Sequence, residues 1–408
     1  MTEALALATR RRAALVFIFV TVLLDMLALG MVIPVLPKLV ENFLAGDTAR
    51  AAEIFGLFGT AWAMMQFLFS PVLGALSDRF GRRPVILLSN FGMGADYLLM
   101  ALAPTLGWLF VGRVISGITA ASVSTGFAYI ADVTPPEKRA ASFGMIGAAF
   151  GLGFILGPAV GGLLGSVGPR MPFWCAAVLS LVNAVYGYFV LPESLSPGRR
   201  STLSWRRANP IGSLKLLRSH PELAGLAMAN FLANVAHVVL PSTFVLYAGY
   251  RYGWDETAVG MTLAGVGACA LAVQVALVGR FVARFGERIA LLTGVLCGAV
   301  GLFIYGWAPT GALFCAGIPV MALWGLANPA AQGLMTRRVG PSEQGELQGA
   351  NSSIMGIASL IGPGMFTQTF ALAIGSARSW NIPGAPFLLA GSLLVASALL
   401  AWRATRPR

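Results

Sequence analysis

The sequence predicts an all-α membrane protein with twelve transmembrane helices in two parallel six-helix repeats. Of its 408 residues, 57% are hydrophobic and only 11% are charged, whereas a soluble domain has about 25% charged residues. Apolar runs of about 20 residues, each long enough to cross a bilayer as a helix, recur along the whole chain. The second half also repeats residues of the first half at a constant offset of 205 positions.

These runs must be helices, because hydrocarbon offers no water to backbone N–H and C=O groups, and the alternating ten-residue segments of a membrane barrel are absent. Twelve spans are predicted, at about 14–36, 54–76, 84–103, 106–130, 140–165, 172–191, 222–247, 257–280, 288–308, 311–335, 346–374 and 383–402. They form an N-terminal bundle (1–191), a cytoplasmic linker (192–221) and a C-terminal bundle (222–408).

The net charge of +12 does not indicate nucleic-acid binding, because the basic residues form short clusters between apolar runs. Alternate connections carry 22 of the 28 Lys and Arg residues, so the positive-inside rule predicts that both termini are cytoplasmic. All four cysteines lie inside apolar runs, as expected for small buried side chains, so we expect no disulfide, metal site or cofactor.

The repeat is clearest around the segment Gly74–Pro84, GALSDRFGRRP, whose degraded copy is Gly279–Arg288. The same offset relates Gly157-Pro158 to Gly362-Pro363, and Pro136 to Pro341. Each half has an even number of spans and therefore enters the membrane from the same side. Such parallel repeats leave a cleft between the halves in which a small molecule can bind.

Gly74–Pro84 resembles the loop motif G-x-L-x-D-R-x-G-R-R of major facilitator superfamily transporters. Residues 113–121 resemble that family's span-4 motif with a buried Arg, and residues 153–162 resemble its span-5 antiporter motif. The resemblance covers the whole chain. It implies a transporter of the bacterial inner membrane that works by rocking two six-helix halves, without enzymatic activity and as a monomer.

Within the superfamily the chain looks most like the twelve-span tetracycline/proton antiporters, through residues 23–40, 92–104 and 129–140. In that family the acids of spans 1 and 3 matter for transport, which here are Asp25 and Asp96. The best-known members also carry a His in span 8 and an Asp in span 9. Here Ala270 and Gly298 occupy those positions.

Only three charged side chains lie well inside predicted spans: Asp25, Asp96 and Arg113. A charge at this depth is costly and therefore marks a transport pathway by default. Asp96 and Arg113 are each about seven residues from the turn between spans 3 and 4, so we expect them to pair. If Arg113 moved away, the acid would take up a proton, which makes the proton the coupling ion. A static structural ion pair is the alternative.

A neutral polar face is predicted for the C-terminal bundle. Asn230, Asn234 and His237 of span 7 follow an i, i+4, i+7 pattern and share one helical face. We expect them to line a substrate cleft, although each group can equally serve as a bond between helices. The remaining predicted cleft residues are Gln274, Asn328, Gln332 and Asn351.

Two further groups are predicted to serve conformational change. Hinges or packing seams are expected at Gly153, Gly157, Pro158, Gly161, Gly362 and Pro363. A purely structural kink is the alternative. A cytoplasmic latch, which resemblance places between the halves, is expected at Gly74, Asp78, Arg79, Gly81, Arg82, Arg83 and Asp132. Within it, Asp78 would cap span 11 and Arg83 would pair with Asp132; a merely topogenic basic turn is the alternative.

The function expected from these features is proton-coupled export of a small, partly apolar compound by alternating access, as in drug efflux and antibiotic resistance. A proton symporter or facilitator that imports a small metabolite is the alternative within transport. A membrane receptor or enzyme on this scaffold is the third reading. No Ser-His-Asp, HExxH or phosphate-loop pattern supports it.

Overall fold

The computed structural model describes residues 2–120, 123–135, 139–195, 198, 200, 216, 221–340 and 343–406. Most of the predicted linker 192–221, the end of the span-4 motif, and the repeat-related Pro136 and Pro341 lie outside the described residues.

Helices make up most of the described part of the chain, which contains no strand. The N-terminal half holds α1 (Thr2–Val32), α2 (Leu36–Phe43), α3 (Thr48–Phe80), α4 (Arg82–Leu102), α5 (Leu106–Ala120), α6 (Val123–Val133), α7 (Arg139–Val167) and α8 (Met171–Val190). The C-terminal half holds α9 (Pro221–His237), α10 (Val239–Tyr252), α11 (Glu256–Ala272), α12 (Val278–Trp307), α13 (Gly311–Ala316), α14 (Ile318–Ala322), α15 (Ala327–Thr336), α16 (Gln344–Ile374) and α17 (Ala385–Ala404).

Eleven stretches of the described residues are long and apolar enough to cross a membrane. The longest, Glu256–Trp307, has 52 residues and would measure roughly 78 Å as one helix, more than twice the thickness of hydrocarbon. It is interrupted at Gly286, where φ is 80° and ψ is 164°. It therefore consists of two spans joined by a tight turn, and the predicted count of twelve is recovered.

The chain divides by its contacts into two compact units. The first unit comprises Met1–Leu36 and Ala61–Asn209, and the second comprises Pro37–Thr60 and Pro210–Arg408. Helix α3 thus contributes its N-terminal part to the second unit and the rest to the first.

In the first unit, the predicted glycine stripe of span 5 is a packing seam against span 1. A Cβ atom added to Gly157 would lie 2.7 Å from the Cα of Gly30, and one added to Gly161 would lie 2.6 Å from the Cα of Met31. Gly153 makes a similar approach to Leu27. Only glycine allows the two backbones to come this close. Helix α7 continues through Pro158 without interruption.

In the second unit, the repeat-related Gly362-Pro363 forms the corresponding seam. A Cβ on Gly362 would lie 2.7 Å from the Cβ of Val238 in span 7. On the other side, a Cβ on Gly59 would lie 2.9 Å from the Cβ of Pro363. Spans 5 and 11 therefore perform the same packing role, each against the first span of its own half.

The turn between the second and third spans of each half also follows the repeat. Gly81 has φ 108° and ψ 158°, and Gly286, 205 positions later, has φ 80° and ψ 164°. These positive φ angles strain any residue with a side chain, which explains why both copies retain glycine, whereas Asp78 and Arg82 are replaced by Ala283 and Glu287.

We predict that Gly157→Ala lowers the stability of the folded protein by about 1–3 kcal/mol, because the added methyl group collides with backbone rather than with a flexible side chain. Gly147→Ala is the matched control, since it lies on the same helix and a Cβ there meets nothing within 4 Å. Thermal unfolding of the purified proteins in detergent would compare them. Equal melting temperatures for the two variants would contradict the seam.

Candidate functional site

The carboxylate of Asp25 lies in the first unit and is held by a neutral partner. Asn183 Nδ2 donates a hydrogen bond to Asp25 Oδ1 at 3.2 Å, and Thr21 Oγ1 donates to Asn183 Oδ1 at 3.2 Å. Asn183 lies in span 6 and is fully buried. Asp25 therefore reaches across to another helix through an amide and not through Arg113.

Asp96 and Arg113 lie close together but do not form the predicted ion pair. A Cβ on Gly112 would lie 2.9 Å from Asp96 Oδ1, so this glycine makes room for the carboxylate beside span 4. Neither oxygen of Asp96 accepts a well-directed hydrogen bond from a described residue, although Ser116 and Arg113 are nearby. The guanidinium carbon of Arg113 instead lies 5.5 Å from the ring centroid of Trp62 in span 2. This cation–π contact compensates part of the charge of Arg113, whose guanidinium still interacts electrostatically with Asp96.

The Gly74–Pro84 segment is held by a carboxylate that the sequence analysis did not single out. Glu193 accepts hydrogen bonds from the backbone N–H groups of Arg82 at 2.9 Å and Arg83 at 3.3 Å. These N–H groups open helix α4 and have no partner within it, so Glu193 caps that helix. Its side chain also lies against Gly81, where an added Cβ would be 2.7 Å from Glu193 Cδ.

Arg82, and not Arg83, is the central cation of this segment. Its guanidinium contacts Asp78, donates to Asp132 Oδ2 at 3.2 Å and donates to Ser77 Oγ at 2.6 Å. Arg83 instead donates to the backbone oxygen of Tyr188 at 2.6 Å. The expected Arg83–Asp132 pair is therefore wrong, because the turn at Gly81 directs the first arginine of the pair towards span 4 and the second towards span 6.

Two of the remaining residues predicted for this segment make few contacts. Arg79 is exposed and lies over the ring of Phe80, 5.1 Å from its centroid. Gly74 accepts a hydrogen bond from Ser77 Oγ through its backbone oxygen, at 2.7 Å. A Cβ on Gly74 would meet nothing within 4 Å, so this position tolerates a small side chain.

The second unit contains the same ion pair with its charges exchanged. Arg337 Nη2 donates to Glu287 Oε1 at 2.9 Å. Glu287 is the repeat partner of Arg82, and Arg337 is the repeat partner of Asp132. The duplication has thus preserved an attraction between the same two backbone positions while reversing its polarity.

The polar residues predicted for the cleft form a chain of amides in the second unit. Asn234 Nδ2 donates to Asn230 Oδ1 at 3.0 Å, and Asn230 Nδ2 donates to Asn351 Oδ1 at 3.3 Å. Asn351 Nδ2 and Gln348 Nε2 both donate to Gln332 Oε1, at 3.5 and 3.3 Å. Spans 7, 10 and 11 are therefore joined by a continuous, uncharged polar network.

Helical geometry is interrupted on spans 7, 8 and 10 of the second unit. Helix α9 ends at His237, a π-helical segment spans Val273–Leu277, and a 3₁₀ segment spans Leu323–Leu326. The ring of His237 lies 5.5 Å from that of Trp324, which belongs to the 3₁₀ segment. Interrupted helices and π-bulges are frequent at the binding sites of transporters.

Two more predicted cleft residues lie on the interrupted spans. Gln274 belongs to the π-helical segment, and Asn328 follows Trp324 by one helical turn. His237, Gln274 and Asn328 are all exposed on the second unit. Polar side chains in the middle of spans are costly to expose to hydrocarbon, so this exposed polar surface is the part of the second unit that we assign to the candidate substrate site.

Sequence reasoning missed Asn90, Asn183, Glu193 and Trp324. Asn90 and Asn183 are single amides in the middle of apolar spans 3 and 6, which is the same signal that identified Asn230. Glu193 follows Pro192 directly after span 6. A single acid at the start of a basic cytoplasmic segment could have been recognised as a partner for the nearby arginines. Trp324 could not have been identified from the sequence, since a tryptophan in a membrane helix usually packs against lipid or neighbouring helices.

We predict that Arg82 and Asp132 couple energetically and that Arg83 and Asp132 do not. In a double-mutant cycle, Arg82→Ala and Asp132→Ala should show a coupling of about 0.5–1 kcal/mol, since both side chains are only partly exposed. The matched cycle with Arg83→Ala should show coupling within error of zero. Equilibrium unfolding of the purified variants measures both cycles. Coupling of Arg83 alone would restore the pairing expected from the sequence.

Comparison with known proteins agrees with this architecture. A family model described as Major Facilitator Superfamily matches residues 18–363. The class C tetracycline resistance protein of Escherichia coli is 38% identical over 368 residues, covering 90% of this chain and 91% of that protein. The class D tetracycline resistance protein of Salmonella ordonez is 34% identical over 384 residues, covering 93% and 96%.

A solved structure supports the fold. The crystal structure of the nucleoside transporter NupG superimposes with a TM-score of 0.77 over 97% of this chain and 100% of that chain, at 14% sequence identity. With its many apolar helices and its bacterial relatives, this chain is a multi-pass protein of the inner membrane, of a family that transports small molecules. Because the family model spans most of the chain and the resistance proteins exceed 30% identity over nine tenths of it, the chain belongs to the major facilitator superfamily and, within it, to the family of the tetracycline resistance proteins.

Proposed function

We propose that this protein is a proton-coupled secondary transporter that exports a small, partly apolar drug by alternating access. The names of its relatives make tetracycline the first compound to test. The observation that carries proton coupling is the environment of the mid-span acids of the first unit: neither Asp25 nor Asp96 forms an ion pair with a described residue.

Asp25 and Asp96 are suited to exchange protons because their partners are weak or neutral. Asp25 is held by an amide, and Asp96 lies near Arg113 without a directed contact. A carboxylate locked to arginine at membrane depth would stay charged, whereas one near a movable cation can gain or lose a proton as the helices shift. Arg113, held by Trp62, supplies the movable charge in this proposal.

The second unit supports substrate recognition by neutral groups. Its mid-span surface is formed by the exposed His237, Gln274 and Asn328 and by the half-buried Trp324. These four side chains offer hydrogen-bonding groups and an indole but no carboxylate or guanidinium. Such a surface favours a flat compound that stacks on the indole and exchanges hydrogen bonds with the amides.

The structure also explains the glycine at a position where the best-known relatives carry an acid. A Cβ on Gly298 would lie 2.8 Å from Trp324 Cγ, so the indole occupies the space that a side chain there would need. Trp324 and Gly298 are therefore complementary. We propose that this pair replaces polar recognition by aromatic stacking.

The remaining roles complete the proposal. The Gly74–Pro84 segment with Asp132 acts as a conformational latch, and the Gly-Pro seams of spans 5 and 11 act as hinges. The protein works as a monomer with both termini in the cytoplasm, needs no cofactor other than the proton, and catalyses no chemical reaction.

We predict that Asp25→Asn and Asp96→Asn each abolish drug transport driven by a proton gradient in inside-out vesicles, because an amide cannot carry the coupling proton. Uptake of tetracycline and of a panel of other antibiotics would be measured together with proton release. Asp47→Asn is the matched control, because Asp47 is an exposed acid whose bond to the Arg50 N–H an asparagine can also accept.

Full gradient-driven transport by both mid-span variants would refute the coupling proposal. Transport of the drug into cells instead of out of them would refute the direction. If the wild-type protein transported none of these antibiotics, drug export would be overturned. Proton-coupled transport of a metabolite would then be the activity to test.

We predict that Trp324→Ala lowers resistance to a planar drug about tenfold, which corresponds to a stacking contribution of about 1.4 kcal/mol. Trp324→Phe should keep most of the resistance, because phenylalanine also offers an aromatic face. Gly298→Ala should resemble Trp324→Ala, because the new methyl group displaces the indole, whereas Gly265→Ala has open space and serves as the control. Minimal inhibitory concentrations measure all four; wild-type resistance in Trp324→Ala would contradict the proposed surface.

A further inference from the structure

Positive charge without a protein counter-charge collects where span 12 ends. Helix α17 ends at Ala404, and the arginines on either side of that residue, Arg403 and Arg406, are both exposed. Neither guanidinium forms an ion pair with a described residue. Their charge is therefore available to an anionic partner.

Span 9 and the turn before it bring three more arginines to the same end of the second unit. Arg288 Nε donates a hydrogen bond to Thr405 Oγ1 at 3.3 Å, which fixes the start of span 9 beside the end of span 12. Arg280 and Arg284, at the end of span 8, are exposed and, like Arg288, form no ion pair with a described residue. Like charges gathered in this way attract a negatively charged partner.

The acid that the repeat places at this turn does not balance these arginines. Glu287 is already paired with Arg337, at 2.9 Å. In the first unit, by contrast, Arg82 contacts both Asp78 and Asp132. The corresponding end of the second unit thus keeps an excess of positive charge that its described side chains do not compensate.

The guanidinium of Arg406 is positioned by an aromatic ring and not by an acid. Its central carbon lies 3.6 Å from the ring centroid of Trp402, one helical turn earlier. Stacking engages the flat face of the guanidinium and leaves the N–H groups at its edge free to donate, which is the geometry that binds phosphate oxygens. The arginine is thus ordered without losing its charge or its donors.

The side of span 12 that carries this stack is apolar and exposed. Val395, Leu399 and Trp402 follow an i, i+4, i+7 pattern and therefore share one helical face, and Leu399 is 57% exposed. From the middle of the span to its end, this face presents two aliphatic side chains, an indole and a guanidinium. Tryptophan favours the boundary between hydrocarbon and headgroups. The face therefore matches, in order, the acyl chain, the glycerol region and the phosphate of a lipid.

We propose that this face binds an anionic phospholipid, with its phosphate on Arg406 and Arg403 and an acyl chain along Leu399 and Val395. Arg288 adds to the positive potential at the headgroup. A soluble phosphate compound would use the guanidinium groups but not the apolar face, whereas a phospholipid uses both. The site concerns the bilayer around the protein and depends on neither the direction nor the coupling of transport.

The test titrates the full-length protein in a mild detergent with two lipids that share their acyl chains, anionic dioleoyl phosphatidylglycerol and zwitterionic dioleoyl phosphatidylcholine. Native mass spectrometry measures the affinity of the first lipid bound. Since each arginine near an anionic headgroup contributes about fivefold, the wild type should favour phosphatidylglycerol by about 25-fold and Arg406→Gln by about fivefold. The double variant Arg403→Gln, Arg406→Gln should bind both lipids alike. Arg378→Gln, which removes an exposed arginine at the other end of span 12, should leave the preference unchanged.

Two further measurements separate the lipid from its headgroup. Glycerophosphoglycerol, which has the same headgroup without acyl chains, should not displace phosphatidylglycerol. Trp402→Ala should weaken the binding of both lipids, whereas Trp402→Phe should keep most of it, because phenylalanine preserves the aromatic surface.

The ratio of the two affinities does not depend on how much of a variant is folded, so a poorly folding variant still gives an answer. Equal affinity of the wild type for both lipids, or an unchanged preference in the double variant, would overturn the proposal. Displacement by glycerophosphoglycerol would also overturn it and assign the arginines to a soluble phosphate compound. Since binding is measured without a gradient or a drug, none of these results bears on the proposed transport.

Discussion

The cost of placing charge in hydrocarbon shapes this molecule more than any single contact. Only Asp25, Asp96 and Arg113 lie well inside the spans, and all three belong to the first unit. Each is sheltered in a different way: Asp25 by the amide of Asn183, Asp96 by the space beside Gly112, and Arg113 by the face of Trp62. None of the three forms an ion pair with a side chain in the described part of the chain, which is the feature on which the proposed proton coupling depends.

The fold also requires some helices to pack with their backbones very close together, and glycine makes this possible. Gly157 against Gly30 and Gly362 against Val238 bring the fifth span of each half onto its first span. Since Asp25 and Asn230 occupy equivalent places on those first spans, the same seam positions a carboxylate in one unit and an amide network in the other. One packing solution thus supports two different chemistries.

The duplicated turns show which features of a repeat are retained. Both turns have a positive φ angle, at Gly81 and at Gly286, and both keep glycine because a side chain would be strained there. The ion pairs beside them, Arg82 with Asp132 and Glu287 with Arg337, keep their positions but exchange their charges. Backbone geometry restricts the residue type, whereas attraction between two positions requires only that their charges be opposite.

The sequence by itself determined the membrane class, the twelve spans, the repeat and the residues Asp25, Asp96 and Asn230, because apolar length and isolated mid-span polar groups are local signals. Tertiary structure decided the partners: Asn183 for Asp25, Trp62 for Arg113, Arg82 for Asp132, and Trp324 over Gly298. Those choices depend on the rotation of each helix about its axis and on distances between helices far apart in the chain. The composition of a span is nearly independent of that rotation. The partner of each polar side chain is therefore determined only by how the helices pack.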